Sequence, residues 1–221
     1  VSIVGSSCIV YQPGRVGSTG VTNTAKSVFG ADKVIHLHSA GFDRVYCIKR
    51  PIIYSYINYF LAKILKVLLS MKRFFTGSKT LILVPMRDVN ARNRSVFIEY
   101  FELLVAQARE EVWYRELYKG SQAVFIKKVF DELLEKDGFE LWVANELKAF
   151  IGSRSEEIAI PPIENIIIET YSSRICIFDV KNGADVLLQE LGVKSLESRT
   201  ENTGSSKWCF DFISNIDELN K

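Results

Sequence analysis

The sequence lacks the patterns that mark several classes of protein. Its four cysteines are scattered without Cys-x-x-Cys spacing. Cys8, Cys47 and Cys176 lie in apolar, strand-like runs, which favours buried free thiols over a disulfide framework. No internal repeat, low-complexity tract or linker rich in Pro, Gly or Ser is present. We therefore expect a single domain over 1–221.

Excess charge of one sign and long apolar runs are also missing. Basic and acidic residues number 28 and 26, a balance that argues against a general nucleic-acid-binding protein. The longest apolar run, 52–75, is interrupted by four basic residues, so a membrane-spanning helix is not expected. No segment resembles a secretory signal, and the cysteine usage favours a reducing compartment, which suggests a cytoplasmic location. Because the sequence begins with Val1 in place of Met, we leave open an N-terminal extension and a membrane-anchored form.

Segments of strand character alternate with segments of helical periodicity. Strands are predicted at 7–12, 33–38, 44–49 and 80–86, and a hairpin or two late strands at 164–169 and 174–179. Helices are predicted at 18–29, 52–75, 91–110, 122–136, 139–151 and 184–191, with a last one from 207 onward. This alternation predicts an α/β fold with a mainly parallel sheet and helices on both faces. Functional residues in such a sheet lie beyond the carboxyl ends of its strands.

The loop after the first predicted strand has the properties of an anion site. It reads YQPGRVGSTG over 11–20, between a strand and a helix. Gly14 and Gly17 permit backbone conformations in which successive N–H groups converge on an anion. The helix start adds unpaired N–H groups, and Arg15, Ser18 and Thr19 add charge and hydroxyl donors. The loop is not a Walker A motif, which ends in Gly-Lys-Ser/Thr, and an ordinary glycine-containing turn remains the alternative.

The order of residues in this loop resembles the sulfotransferases. In that family a basic residue, a spacer, a glycine and two hydroxyl or small residues bind the 5′-phosphosulfate of 3′-phosphoadenosine 5′-phosphosulfate (PAPS). Arg15, Val16, Gly17, Ser18 and Thr19 match that order, and a glycine before the basic residue is similar to the carbohydrate and capsular-polysaccharide branches. The resemblance implies a P-loop-like three-layer α/β sandwich, with PAPS as co-substrate and no metal.

A second segment strengthens the resemblance. Arg87 ends the predicted strand 80–86 and Ser95 follows eight residues later. In sulfotransferases an Arg and a Ser at these places bind the 3′-phosphate of PAPS. An arginine offers a planar fork for phosphate, and a serine two helical turns on can face the same pocket. The family often has Arg-Asp-Pro where this sequence has Arg-Asp-Val; taken singly, Arg87 is equally well explained as an ion-pair partner at a helix start.

Two histidines are candidates for the catalytic base. His36 and His38 are the chain's two histidines, and strand alternation places them on one face. An imidazole titrates near neutral pH, as a general base should. Some carbohydrate sulfotransferases carry a similar His-x-His pair, so we assign the base to His38, with His36 second. A structural histidine pair and a carboxylate base, Glu99 or Glu102, are the alternatives.

Three later segments give weaker signals. The segment 139–152 resembles a helix of the capsular-polysaccharide group, and its Trp142 and Phe150 are interpreted as packing residues. Arg199 and Lys207 lie where sulfotransferases often close over the nucleotide, so they are candidate 3′-phosphate contacts; solvated basic residues on the surface are the commoner alternative. The stripe in 52–75 is interpreted as core; an acceptor groove or contact with a membrane surface is the less favoured reading.

The sequence therefore predicts a sulfotransferase that acts on a hydroxyl group, with a carbohydrate or polysaccharide as the expected acceptor. Its partners would be the nucleotide and that acceptor, without nucleic acid. A P-loop nucleotide kinase or other NTP-binding enzyme is the first alternative. A non-catalytic nucleotide-binding homologue is the second, and a site filled by its own side chains would favour it.

Overall fold

Five strands form one sheet in the computed structural model of the chain. The structure describes residues 7–14, 16, 18–42, 46–49, 51–117, 120–151, 165–180, 189 and 191–192. The strands are β1 (Cys8–Tyr11), β2 (Val34–Leu37), β3 (Thr80–Met86), β4 (Ile166–Glu169) and β5 (Ser173–Asp179). Their order across the sheet is β2-β1-β3-β5-β4, and every pair is parallel except the β4–β5 hairpin. The predicted α/β class with a mainly parallel sheet is confirmed.

Seven α-helices accompany the strands in the described residues. They are α1 (Ser18–Phe29), α2 (Ile53–Thr76), α3 (Val89–Ala108), α4 (Tyr114–Leu117), α5 (Gln122–Leu133), α6 (Gly138–Trp142) and α7 (Lys148–Ile151). A π-helical turn, Val143–Leu147, joins α6 to α7, so the helix predicted over 139–151 is present but widened in its middle. Within the described residues, no helix combines the length and apolar character needed to cross a membrane.

Helices cover both faces of the sheet because strand side chains alternate between its sides. Cys8 and Val10 of β1 face the same side as α1, in a cluster that includes Val21 and Ala25. Ile9 and Tyr11 face the opposite side, and this second cluster contains residues of α2, α6, the π turn and α7. A third apolar cluster is formed by α3, α5 and the segment that contains Cys47 and Ile48. The molecule is thus layered as helix, sheet and helix.

The strand predicted at 44–49 is wrong for the residues that are described, 46–49. Ile48 forms only an isolated bridge with Leu134, and the Lys49 N–H donates to the Leu133 carbonyl at 3.1 Å. The side chains of Cys47 and Ile48 pack against α3 and α5, so they are buried without joining the sheet. The helices predicted at 184–191 and from 207 lie outside the described residues, apart from 189 and 191.

The cysteines within the described residues are buried free thiols, as predicted. They are Cys8, Cys47 and Cys176. Burial raises the pKa of the Cys8 thiol to about 12, so this side chain is a packing residue at neutral pH. Cys209 lies outside the described residues.

Candidate functional site

The two motifs singled out in the sequence lie at the same edge of the sheet. Strands β1 and β3 are hydrogen-bonded neighbours and run parallel, with Val10 opposite Leu83. Both motifs directly follow the carboxyl ends of these strands, and Arg92 of α3 donates to the Pro13 carbonyl in the loop after β1 at 3.4 Å. This is the edge at which parallel sheets bind ligands.

The loop after β1 is shaped by one glycine and one glutamine. Gly14 has a φ of 88°, a left-handed conformation that favours glycine. Its N–H donates to Oε1 of the buried Gln12, so that amide group is used within the loop. The Val16 side chain is fully buried in the core, which leaves only its backbone for a ligand. Arg15 and Gly17 lie outside the described residues.

Helix α1 begins directly beyond this loop, as predicted. Its first two residues differ in exposure: Ser18 is buried and Thr19 is exposed. The Ser18 hydroxyl lies 3.1 Å from Nε2 of His36. No acidic residue occupies the first turn, so the positive end of the helix dipole is not neutralised locally.

Both histidines face this loop, and Gln12 lies between them. The imidazole rings of His36 and His38 have centroids 4.7 Å apart. Nε2 of Gln12 lies 3.1 Å from Nε2 of His36 and 2.6 Å from Nδ1 of His38. His36 in β2 and His38 directly after it therefore present their rings to the same polar cluster, which is the shared face expected from the sequence.

The orientation of the Gln12 amide fixes which imidazole nitrogens accept hydrogen bonds. A backbone N–H can only donate, so the Gln12 atom that faces Gly14 N is the oxygen. The other end of the amide is then an NH₂ group, a donor to both rings. Nδ1 of His38 must accept, which places the proton of the neutral ring on Nε2. In this arrangement Nε2 is the protonated nitrogen of His38.

A buried carboxylate supports the loop that follows β2. Glu146, in the π turn, is fully buried. Its Oε2 accepts hydrogen bonds from the Tyr11 hydroxyl and, at 2.7 Å, from the Ala40 N–H. Oε1 has no hydrogen-bonding partner in the described part of the chain. Burial raises the pKa of Glu146 to about 7, against the opposing effect of the hydrogen bonds from Tyr11 and Ala40.

Asn58 of α2 fixes the far end of the same loop. Its Oδ1 accepts from the Phe42 N–H at 2.8 Å, and its Nδ2 donates to the Phe42 carbonyl at 3.3 Å. Asn58 is itself fully buried. With Glu146 bonded to Ala40, the backbone that follows His38 is therefore held at two points.

A buried arginine links α3 to the loop after β1. The Arg92 side chain is fully buried. It donates to the Tyr46 carbonyl at 2.6 Å, to the Pro13 carbonyl at 3.4 Å and to Oδ1 of Asn93 at 3.0 Å. Burial lowers the pKa of the guanidinium, although neighbouring groups oppose that change. Arg92 thus places a cation next to Pro13, the residue before Gly14.

Arg87 and Ser95 flank this arginine in sequence. Both side chains are half-buried, and within the described part of the chain neither has a hydrogen-bonding partner. Asp88 caps α3 by accepting from the Ala91 N–H at 2.8 Å, which fixes the helix start beside Arg87. Ser95 lies three residues after Arg92 and so on the same side of α3, toward the loop.

The remaining candidates contribute less to the described site. Arg199 and Lys207 lie outside the described residues. Glu99 and Glu102 are exposed on α3, about three turns from its start, and so lie away from the carboxyl edge of the sheet. Among the described residues, no group of three His, Cys, Asp or Glu side chains is placed to hold a metal ion.

Gln12, Arg92 and Glu146 were not assigned roles from the sequence. Gln12 lies in the glycine loop, but a glutamine at this position does not by itself predict hydrogen bonds with two histidines. Glu146 follows Phe139 and Trp142 at helical spacing, and a carboxylate in an apolar stripe is a signal of a buried, hydrogen-bonded group. The same signal applies to Arg92, which precedes Val96 by one turn.

Comparison of this chain with protein-family models, with curated proteins and with solved structures found no match.

Proposed function

We propose that this chain is a sulfotransferase that moves a sulfuryl group from PAPS to a hydroxyl group, with a carbohydrate or polysaccharide as the acceptor. The observation that carries the proposal is the placement of two anion-binding motifs at the ends of neighbouring parallel strands. The loop after β1 offers a left-handed glycine and a helix start, and Arg87 and Ser95 follow β3. Such a pair fits a nucleotide with phosphate groups at both its 5′ and 3′ positions.

The reaction itself needs stabilisation of negative charge more than covalent chemistry. The acceptor hydroxyl passes its proton to the base, for which His38 is the candidate, as its oxygen attacks sulfur. The bond between sulfur and the bridging oxygen breaks, and adenosine 3′,5′-bisphosphate leaves. The start of α1 and the Arg92 cation behind Pro13 supply positive potential where the leaving phosphate gains charge. We assign the 5′-phosphosulfate to 14–19 and the 3′-phosphate to Arg87 and Ser95; the P-loop-like classification of the sheet belongs to the same proposal.

The role of His38 is refined by its hydrogen bonds. The assignment of His38 as the base stays a prediction. A base needs an unprotonated nitrogen that faces the acceptor hydroxyl. With Nδ1 bonded to Gln12, the neutral ring carries its proton at Nε2, and a protonated nitrogen suits a donor to a sulfuryl oxygen. To act as the base, His38 has to release Gln12 and receive the proton at Nδ1.

One observation favours the second candidate, a non-catalytic nucleotide-binding homologue. The Gly14 N–H donates its hydrogen bond to Gln12, and the Ser18 hydroxyl is hydrogen-bonded to His36. Two groups expected to hold the phosphosulfate are thus engaged within the protein. Both candidates require the bisphosphorylated nucleotide to bind, so binding and turnover have to be measured separately.

Isothermal titration calorimetry with adenosine 3′,5′-bisphosphate tests the proposal on the wild type, Arg87→Ala and a matched control, Arg109→Ala. Arg109 is exposed at the far end of α3. We expect Arg87→Ala to weaken binding by about 10- to 100-fold, the range for loss of a charge-assisted hydrogen bond, and Arg109→Ala to bind as the wild type does. Equal binding by both variants, together with tighter binding of ATP and Mg²⁺, would favour the kinase alternative. Binding without any release of sulfate from PAPS would favour the non-catalytic homologue.

A further inference from the structure

Helix α2 exposes an apolar stripe along most of its length. The helix has 24 residues and is therefore about 36 Å long. Large apolar side chains at helical spacing are a third to three-quarters exposed, and the most exposed are the adjacent Phe74 and Phe75, at 74% and 76%. Others in the stripe are Phe60, Val67, Leu68 and Met71. Contiguous apolar surface of this extent marks an interaction site.

The stripe is distinct from the face by which α2 packs on the protein. The buried residues of the helix are Asn58, Ala62 and Leu69, and they contact the core at the other side. On a helical projection the exposed stripe is roughly 120° wide and is centred opposite this buried face. The interpretation of this stripe as core is therefore wrong, because its side chains are exposed on the face of α2 opposite the buried one.

The charges of α2 are all of one sign. The helix contains Lys63, Lys66, Lys72 and Arg73 and no Asp or Glu, although the whole chain is nearly neutral. Lys72 is used inside the fold, where it donates to the hydroxyls of Ser7 and Thr80. On the helical projection Lys63 and Lys66 lie on one side of the stripe, whereas Arg73 lies close to the buried face. The surface is therefore apolar with a basic border.

The apolar surface continues beyond the helix at its carboxyl end. An open groove of about 540 Å³ lies between α2 and Tyr171, in the turn between β4 and β5. Met71 and Phe74 line it, and Lys66 stands at its border. Tyr171 is 65% exposed, so an aromatic ring with a polar tip lies at the edge of the apolar area.

We propose that α2 binds the surface of an anionic membrane, with the apolar stripe in the headgroup region and the basic side chains over lipid phosphates. Interfacial helices combine aromatic and aliphatic residues on one face with Lys and Arg at its border, which is the composition found here. A second copy of this chain is the weaker occupant. The same face of another molecule would supply no carboxylate for Lys63 and Lys66, because α2 has none.

Vesicle flotation of the full chain tests the proposal. The probes are vesicles of phosphatidylcholine alone and vesicles containing 30% phosphatidylserine, at low and high salt. The variants are Phe74→Ser/Phe75→Ser, which removes apolar area, and Lys63→Glu/Lys66→Glu, which inverts the border charge. Val112→Ser is the matched control, because Val112 is 91% exposed and lies outside α2. Circular dichroism on every variant checks that folding is retained, as the exposed positions lead us to expect.

We expect the wild type and Val112→Ser to float with the anionic vesicles, and each double variant to bind at least tenfold less tightly. Each lysine near an anionic surface accounts for about a fivefold change in affinity, so charge inversion and high salt should both weaken binding. Failure of the wild type to bind anionic vesicles would overturn the proposal. Equal binding by the wild type and the Phe74→Ser/Phe75→Ser variant would also overturn it. So would a wild-type dimer in the absence of lipid, if this variant is monomeric and neither protein binds vesicles.

Discussion

The carboxylate of Glu146 accepts a hydrogen bond from the hydroxyl of Tyr11, although 135 positions separate the two residues. Tyr11 ends β1 and leads directly into Gln12 and the glycine loop, whereas Glu146 lies in a π-helical turn near the end of the described helices. The same carboxylate holds the Ala40 N–H after β2. One buried side chain therefore ties together the ends of two strands that carry the candidate site.

Glu146 should make stability depend on pH. Its pKa is about 7 in the folded protein and near 4.5 when exposed, so the folded state binds more protons between these values. The free energy of unfolding should then fall as pH rises from 4.5 to 7, by about 3 kcal/mol. Glu146→Gln keeps an oxygen for Tyr11 and Ala40 and should remove this dependence, which urea unfolding at several pH values measures. The exposed Glu111→Gln should keep the wild-type slope, and equal slopes for all three proteins would contradict the prediction.

Replacing Arg92 should destabilise the fold. Arg92→Ala leaves a cavity and removes the donors to the Tyr46 and Pro13 carbonyls. We expect the free energy of unfolding to fall by about 3 kcal/mol or more, whereas Arg109→Ala at an exposed position should change it by less than about 0.5 kcal/mol. Urea unfolding with comparison of the m-values is the measurement. A loss for Arg92→Ala no larger than that of the control would show that the buried guanidinium is dispensable.

Gln12 should control the position of the imidazole proton on His38. In the wild type, long-range ¹H–¹⁵N NMR spectra should show Nδ1 as the unprotonated nitrogen and Nε2 as the protonated one. Gln12→Glu replaces the amide donor by a carboxylate acceptor, so the proton should move to Nδ1. If the two proteins give the same tautomer, Gln12 does not set it.

His38→Ala should separate nucleotide binding from turnover. The product adenosine 3′,5′-bisphosphate has no sulfuryl group, so its affinity should stay within about twofold of the wild type. Release of sulfate from PAPS, with water as the acceptor, should slow by about 10²- to 10⁴-fold. The pH profile of the wild type separates the two roles, because a base gives a rate that rises with pH through the imidazole titration and a donor gives one that does not. Unchanged turnover would show that His38 is neither the base nor the donor.

Local patterns predicted most of the sheet and helices correctly. Strand β3 and helix α1 begin and end at the predicted residues, because a continuous apolar run and a polar start followed by helical spacing are signals carried by neighbouring residues. The prediction of a strand at 44–49 was wrong for residues 46–49. β-Branched and aromatic residues indicate that a segment will be buried, but not which element will bury it. Here those elements are α3 and α5.

The sequence by itself determined the alternation of strands and helices and the order of the two motifs, since both are properties of residues close together along the chain. Only the tertiary structure decided that β1 and β3 are neighbours, that Gln12 lies between two imidazoles and that Glu146 and Arg92 are buried behind the loops. Those relationships join residues that are tens of positions apart. They depend on which elements pack together, and the spacing of residues within a single element carries no information about that choice.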